Sequence, residues 1–398
     1  FILKNDSMEI SSFELKNNDD FLQFNAVIDA DSVFLLDRFQ FAYKNHYLVN
    51  PKPIKIFFNE NYFETKPFEI HVDDGVFEGF VKNNPISGDL KFSNVTTDLL
   101  SLFSPEYSEK VKGNIFGEIS VKERLGQNEV NLNVNLKNGE IANQSFDEFE
   151  ILADFSEGIL DLKNIELIYG ENTRLQIEGI YPISIDSTRI SKVEIKSNFK
   201  NIDLKLFTQF TDRFNEDLIG TFSGVFLMKG TTDKTIFELD GSIDNAIYKN
   251  MPLGKVKGTA KYANKNLIFD QFTSDWNDNH ISGSAILPLD FDLASPIKSW
   301  YPGGKISVNT EGSFRSAVFL STFISETDSI IGDINVKLNV NGYRDELIRD
   351  GEISINNGSV YTILMDEPLN QISASATLYN NIMKINSFNS SLYDSDFN

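Results

Sequence analysis

The sequence predicts an all-β chain, a repeating and mostly antiparallel sheet with one short amphipathic helix per unit of about 107 residues. Three observations carry this expectation: period-two alternation of apolar and polar residues, turn dipeptides between the alternating stretches, and markers that return in a fixed order. Leu132, Val134 and Leu136 alternate with Asn131, Asn133 and Asn135, and Ile334, Val336, Leu338 and Val340 alternate with Asn335, Lys337, Asn339 and Asn341. Successive strand residues point to opposite faces, so each stretch carries one apolar and one polar face. Ile115, Gly117, Ile119 and Val121 continue the pattern. The dipeptides Asn138-Gly139, Asp240-Gly241, Asn341-Gly342, Asp350-Gly351 and Asn357-Gly358 read as hairpin turns.

The helix expectation rests on spacing. Phe92, Val95, Leu99 and Phe103 recur as Phe199, Ile202, Leu206 and Phe210, each pair 107 residues apart, and the offsets fit one face of a helix. Ten residues after Phe103 begins the stretch Gly113–Gly117, and ten after Phe210 begins Gly220–Gly224. A looser third copy runs from Phe314 through Val318 and Phe323 to Gly332–Val336. A second marker, with two apolar residues two apart and a third three further on, reads Leu160, Leu162, Ile165; Leu267, Phe269, Phe272; Met383, Ile385, Phe388. An early copy is Met8, Ile10 and Phe13. These markers divide the chain into the end of one unit (1–32), a Pro- and aromatic-containing β segment (33–91), two units (92–198 and 199–313) and a truncated third (314–398). The chain opens on Phe1 with no visible leader and is expected to be an internal piece of a longer protein.

Composition narrows the function. Asp plus Glu number 58 against 36 Lys plus Arg, a net charge of −22 that repels phosphate backbones and argues against a nucleic-acid partner. Cysteine is absent from the 398 residues, which removes thiol catalysis and disulfides, and His46, His71 and His280 are the only histidines. No catalytic residue, metal site or cofactor is therefore expected. Asp73-Asp74 and Asp19-Asp20 read as turn residues. Asp275, Asp278 and Asp290 lack the ligand spacing of a calcium loop, and the stretch from Pro302 to Lys305 lacks the first glycine of a phosphate loop. The longest apolar runs are short, as at Val33–Leu36, so no bilayer-spanning helix is expected.

The run from Val111 to Ser120 (VKGNIFGEIS), KNGEI at 137–141, GILDLKNI from Gly158, LQIEG from Leu175, and the same order at Ile219–Gly224, Leu267–Phe272 and Ile281–Ala285 resemble the TamB/AsmA-like superfamily. The resemblance implies an elongated, twisted sheet curled into a repeating β-groove, taco-like, with the short helices once per unit. It implies a periplasmic segment of a protein anchored in the inner membrane of a diderm envelope, with membrane contact outside this segment. Such a groove conducts phospholipid acyl chains between inner and outer membranes and supports outer-membrane biogenesis, with an outer-membrane β-barrel assembly protein as a partner.

The expected groove lining is Leu132, Val134, Leu136, Leu160, Leu162, Ile165, Leu267, Phe269, Phe272, Ile334, Val336, Leu338, Val340, Met383, Ile385 and Phe388. The stretches Phe92–Phe103 and Phe199–Phe210 lack a basic polar face and are expected to pack on the sheet rather than lie on a membrane. A dry sandwich core and a lipid trough share the same alternation, so a tandem β-sandwich surface protein of the adhesin type is the alternative.

Overall fold

The computed structural model describes residues 2–4, 7–29, 32–43, 46–102, 111–141, 144–183, 191–206, 218–232, 234–249, 251–292, 295–301, 303–316, 327–362, 367–392 and 395–397. Contacts divide the chain into two units, Phe1–Ser184 and Ile185–Asn398. The first holds β1 (Ile2–Lys4), β2 (Ser7–Asn17), β3 (Asp20–Asp29), β4 (Val33–Tyr43), β5 (His46–Val49), β6 (Ile54–Asn59), β7 (Tyr62–Thr65), β8 (Phe68–Val72), β9 (Gly75–Asn83), β10 (Ile86–Thr96), β11 (Val111–Arg124), β12 (Gln127–Ile141), β13 (Gln144–Ser156), β14 (Ile159–Tyr169) and β15 (Thr173–Pro182). The second holds β16 (Lys192–Asp203), β17 (Leu218–Thr231), β18 (Lys234–Tyr248), β19 (Met251–Ala263), β20 (Asn266–Trp276), β21 (Asn279–Asp292), β22 (Ser295–Trp300), β23 (Ile306–Ser316), β24 (Thr327–Tyr343), β25 (Glu346–Thr362), β26 (Leu369–Tyr379), β27 (Ile382–Leu392) and β28 (Ser395–Phe397). The described pairings are antiparallel, as the short connections dictate.

In the first unit β1 to β4 pair in chain order, and the ladder then forks. One end of β4 pairs with β6 and the other with β5, and the branches rejoin on β9 through β7 and β8. A fork leaves backbone groups of β4 without a strand, and buried orphans are costly. Asn50 fills that gap. Its side chain accepts the Phe39 N–H at 2.5 Å and donates to the Leu36, Asp37 and Lys52 carbonyls. From β9 to β15 each strand pairs with the next. In the second unit the order is again sequential from β16 to β28, except that β22 folds back on the end of β21 while β23 pairs with the rest of it.

The internal repeat reproduces strand by strand. The bounds of β11, β12, β13 and β14 each return 107 residues later as those of β17, β18, β19 and β20. Irregularities return too. Register shifts between Phe92 and Val95, and between Leu162 and Ile165, reappear between Phe199 and Ile202, and between Phe269 and Phe272. Each is a β-bulge, two residues facing one, which brings the third residue on back to the same face. The second sequence marker is thus a bulge signature, and its early copy obeys it: the β2–β3 register shifts between Ile10 and Phe13. Asn94 and Asn201 adopt positive φ at equivalent points, where asparagine tolerates the left-handed conformation better than most residues.

Two expectations are corrected here. Phe92 and Val95 lie in β10, and Phe199 and Ile202 in β16, not on helices. An offset of three satisfies a helical turn and a bulged strand equally, and the β-branched Val95, Thr96 and Ile202 favour the strand. Only Leu99 lies in a helical element of some length, a 3₁₀ turn at Thr97–Leu102, while Leu206 lies in a helical stretch described only at 205–206. Phe103, Phe210, Val318 and Phe323 fall outside the described residues. Val95 and Ile202 are 2% and 1% exposed, so these positions are core.

The second correction concerns the dipeptides read as turns. Asn138-Gly139 lies inside β12, Asp240-Gly241 inside β18, Asn341-Gly342 inside β24, and Asp350-Gly351 and Asn357-Gly358 inside β25. Asn138 and Asn357 have positive φ at bulges facing Gly113 and Gly332, so the left-handed residue a turn would need serves a bulge instead.

Candidate functional site

The register places the nominated apolar residues in continuous cross-strand rows. In the first unit Leu132 and Leu162 flank Ala153, in a row that runs from Ile119 to Gly179. Val134 and Ile165 flank Ile151, and Leu136 pairs with Phe149, which pairs in turn with Leu167. Leu160 lies between Phe155 and Tyr181. Four adjacent rows therefore cross β11 to β15 on one face.

The second unit repeats the arrangement. Leu267 follows Met228, Phe237 and Tyr262 in one row, with Phe237 ring contacts to Phe226 at 5.8 Å and to Tyr262 at 5.5 Å. Phe269 shares a row with Ala285, Val308 and Val340. Phe272, Leu338 and Met383 occupy another, through Gly283, Thr310, Gly351 and Leu378. Val336 pairs across to Ile353, Ala376 and Ile385, and Ile334 to Ile355, Ala374 and Phe388. Every nominated strand residue thus belongs to one of these rows within its own unit.

Burial along the rows is incomplete. Leu136, Leu167 and Ile334 are buried near the bulged ends, and Phe314, Ile330 and Ile334 form a small core with Trp276 and Ile281 beside it. A second core joins Val72, Val95 and Leu99. Leu132, Val134, Leu160, Leu162, Ile165, Leu267, Phe269, Phe272, Val336, Leu338 and Val340 are only half-buried, and Met383 and Ile385 are 67% and 68% exposed. An apolar surface this continuous is a liability in water.

The opposite face is hydrophilic and carries side-chain hydrogen bonds from strand to strand. Ser120 donates to Asn131, and Asn131 donates to Asp154 at 2.6 Å, a polar chain across three strands. Asn135 bonds Glu148, Asn164 bonds Glu150, and Gln176 bonds Asn164. These rungs account for the asparagine-rich composition, because a short amide reaches one strand over without leaving the face. Glu238 takes a hydrogen bond from Lys229 at 2.9 Å with Lys261 beside it, and the Lys229 ammonium holds its carboxyl below the ordinary carboxylate range. Shallow concavities lie on this polar face over the bulge of β20, one lined by Asp270, Gln271, Asn309, Glu311 and Lys337, another by Ser242, Lys255, Lys257 and Gln271. Neither contains a nominated apolar residue.

The titratable candidates sit apart from the rows. His46 pairs with Asp73 at 2.8 Å, His71 with Glu69 at 2.6 Å and His280 with Asp275 at 2.6 Å. The His71 hydrogen bond holds the Glu69 carboxyl low. Among the described residues no group of three or more His, Asp and Glu is placed to hold a metal, and no helix is long and apolar enough to cross a membrane.

Sequence reasoning passed over β13, whose Phe149, Ile151, Ala153 and Phe155 bridge β12 to β14. The signal was present as an alternation of four. Comparison with protein-family models, curated proteins and solved structures found no match.

Proposed function

We propose that the apolar rows form a path for phospholipid acyl chains, and that the chain is a segment of a lipid-conducting protein of the diderm envelope. The observation that carries this reading is the run of half-buried apolar rows, unbroken over β11–β15 and again over β17–β21, backed by a hydrogen-bonded polar face. Laying an acyl chain on such a face recovers about 0.8 kcal/mol per buried methylene. Passage along a row asks for continuity rather than for a headgroup pocket, which suits a surface whose rows run from strand to strand and are mostly apolar.

The resemblance noted in the sequence supplies the setting: the periplasm, a full-length protein anchored in the inner membrane, a curled groove, and an outer-membrane β-barrel assembly protein as partner. A tandem β-sandwich would instead close each apolar face with a second sheet. Against this, the described ladders pair strand to strand on both sides of residue 92 in the first unit and of residue 314 in the second. The test is direct. The purified chain should carry phospholipid or detergent in native mass spectrometry and should take up a fluorescent fatty acid. A stable chain that is lipid-free and blind to the probe would overturn the proposal.

A further inference from the structure

The segment 33–91, which stands outside the repeat, holds an open cavity of about 470 Å³ beside the fork. It is lined from β8, β9 and β10 and from the loops that carry Pro53 and Pro67. The cavity opens on the hydrophilic face, where its Asp89 faces Ser120, which donates on to Asn131. It is therefore separate from the apolar rows, and its role is independent of whether they carry lipid.

The charges in it do not cancel. Two ammonium groups, of Lys52 and Lys91, share the lining with three carboxylates, of Glu69, Glu78 and Asp89. Glu69 is answered by His71 at 2.6 Å and by Lys52 at 3.5 Å. Lys91 stands between Glu78 and Glu118 in one row and makes an ion pair with neither. Among the described residues the Glu78 and Asp89 carboxylates have no ion-pair or hydrogen-bond partner, although Glu78 also stands directly opposite Glu69, where like charges cost stability. An aromatic ring lies between these two carboxylates. Phe80 follows Glu78 by two residues on the same face of β9, and Asp89 is its direct partner on β10.

The neighbouring strands show what such a setting holds. On the same face Lys55 and Lys66 each lie 5.1 Å from the centre of the Phe57 ring, and Lys82 lies 5.8 Å from that of Tyr62. Glu64, directly opposite Phe57, takes a hydrogen bond from Lys66 at 3.2 Å. There a primary ammonium rests on a ring face beside a carboxylate. Around Phe80 the ring and the carboxylates recur, and among the described residues no lysine or arginine lies over the ring.

We infer that this cavity binds a small primary amine in its ammonium form, with the nitrogen between Glu78 and Asp89 and the carbon chain along Phe80. One positive charge balances the lining, three N–H donors serve two carboxylates, and a short alkyl stem suits the ring.

The probe is n-butylamine, which carries the ammonium and stem of a lysine side chain, titrated into the full chain at physiological salt and followed by saturation-transfer NMR. It should bind saturably, and n-butanol should not. The double variant Glu78→Gln/Asp89→Asn should weaken binding at least fivefold, and Phe80→Leu at least threefold, with circular dichroism checking each fold. Glu118→Gln removes a carboxylate of the same face outside the cavity and should leave binding within twofold of the parent. Equal binding of n-butanol, indifference to the double variant, or an equal loss in Glu118→Gln would overturn the inference, the last in favour of diffuse attraction by the acidic chain. Phosphatidylcholine vesicles with and without phosphatidylethanolamine identify the source of the amine. Flotation that needs the ethanolamine lipid and is lost in the double variant supports the inference with a lipid headgroup as the ligand. Binding of n-butylamine without flotation supports it with a free amine.

Discussion

Gly332 faces Gly358 across β24 and β25 so closely that a Cβ on Gly332 would stand 2.7 Å from the Gly358 Cα. Gly332 also has a φ of +148°, which side chains rarely adopt. Both facts trace to the bulge at Asn357-Gly358. Gly332→Val should therefore destabilise the β24–β25 pair by about 2 kcal/mol or more. Hydrogen exchange of the amides around Ile330–Ile334 reads the effect, and unchanged protection would show that the close approach is dispensable.

Val95 and Ile202 are core residues of bulged strands, not members of a helix face. Ile202→Ala removes a nearly buried side chain beside Phe222 and should cost about 2–5 kcal/mol. Leu125→Ala, at a position 99% exposed, should cost no more than about 0.5 kcal/mol. Urea unfolding of the two variants makes the comparison, and similar midpoints would refute the burial argument.

Leu338 separates an open apolar face from a dry core. It lies between Thr310 and Gly351 and is half-buried, so an arginine stem can lie along the row and carry its charge to water. Leu338→Arg should keep near-native β circular dichroism while abolishing uptake of a fatty-acid probe. Asn339→Lys, one residue on and facing the polar side, should change neither. A melted sheet in Leu338→Arg would point to a closed core at this position.

Glu238 gives a pH signature. Its carboxyl is held low chiefly by the Lys229 hydrogen bond, so the stabilisation is present above the unfolded-state pKa and lost as pH falls through the folded one. In Lys229→Met the Glu238 titration midpoint, followed by carboxyl NMR, should rise toward the ordinary glutamate value. The difference in stability between variant and parent should vanish in acid, and should shrink in high salt because the pair is exposed. An unmoved midpoint would mean that Lys261 alone suffices.

Alternation at Leu132–Leu136 and Ile334–Val340 made the strands and their two faces legible, because the side-chain period of a strand is local information. The 107-residue period was legible for the same reason, and it carried the bounds of β11–β14 onto β17–β20. The meaning of the offsets was not. Phe92 and Val95, three apart, satisfy a helix as well as a bulge, and only the facing Ile115 and Gly117 of β11 decide between them. Asn138-Gly139 looks like a hairpin turn because turn and bulge both call for a left-handed residue. The fork at β4 was hidden altogether, since it depends on hydrogen bonds that Asn50 makes to residues as far back as Leu36. For the candidate site, the rows needed β13, which joins residues that composition alone leaves far apart.

The strict sequence of pairings from β9 to β15 has a kinetic side. Each strand lies against the one synthesised just before it, so a growing chain always offers a finished edge to the strand that is emerging. Loop closure then costs little at every step, and the rate of sheet growth should depend weakly on how many strands are already in place. The bulges add a checkpoint, since a strand that slips by two residues keeps its faces but misses the extra residue on its neighbour. What they cannot distinguish is one copy from the next, because β11–β14 and β17–β20 carry the same spacing. Refolding from denaturant, where both copies are present at once, should therefore be slower and more prone to swapped pairings than synthesis, in which strands emerge one after another.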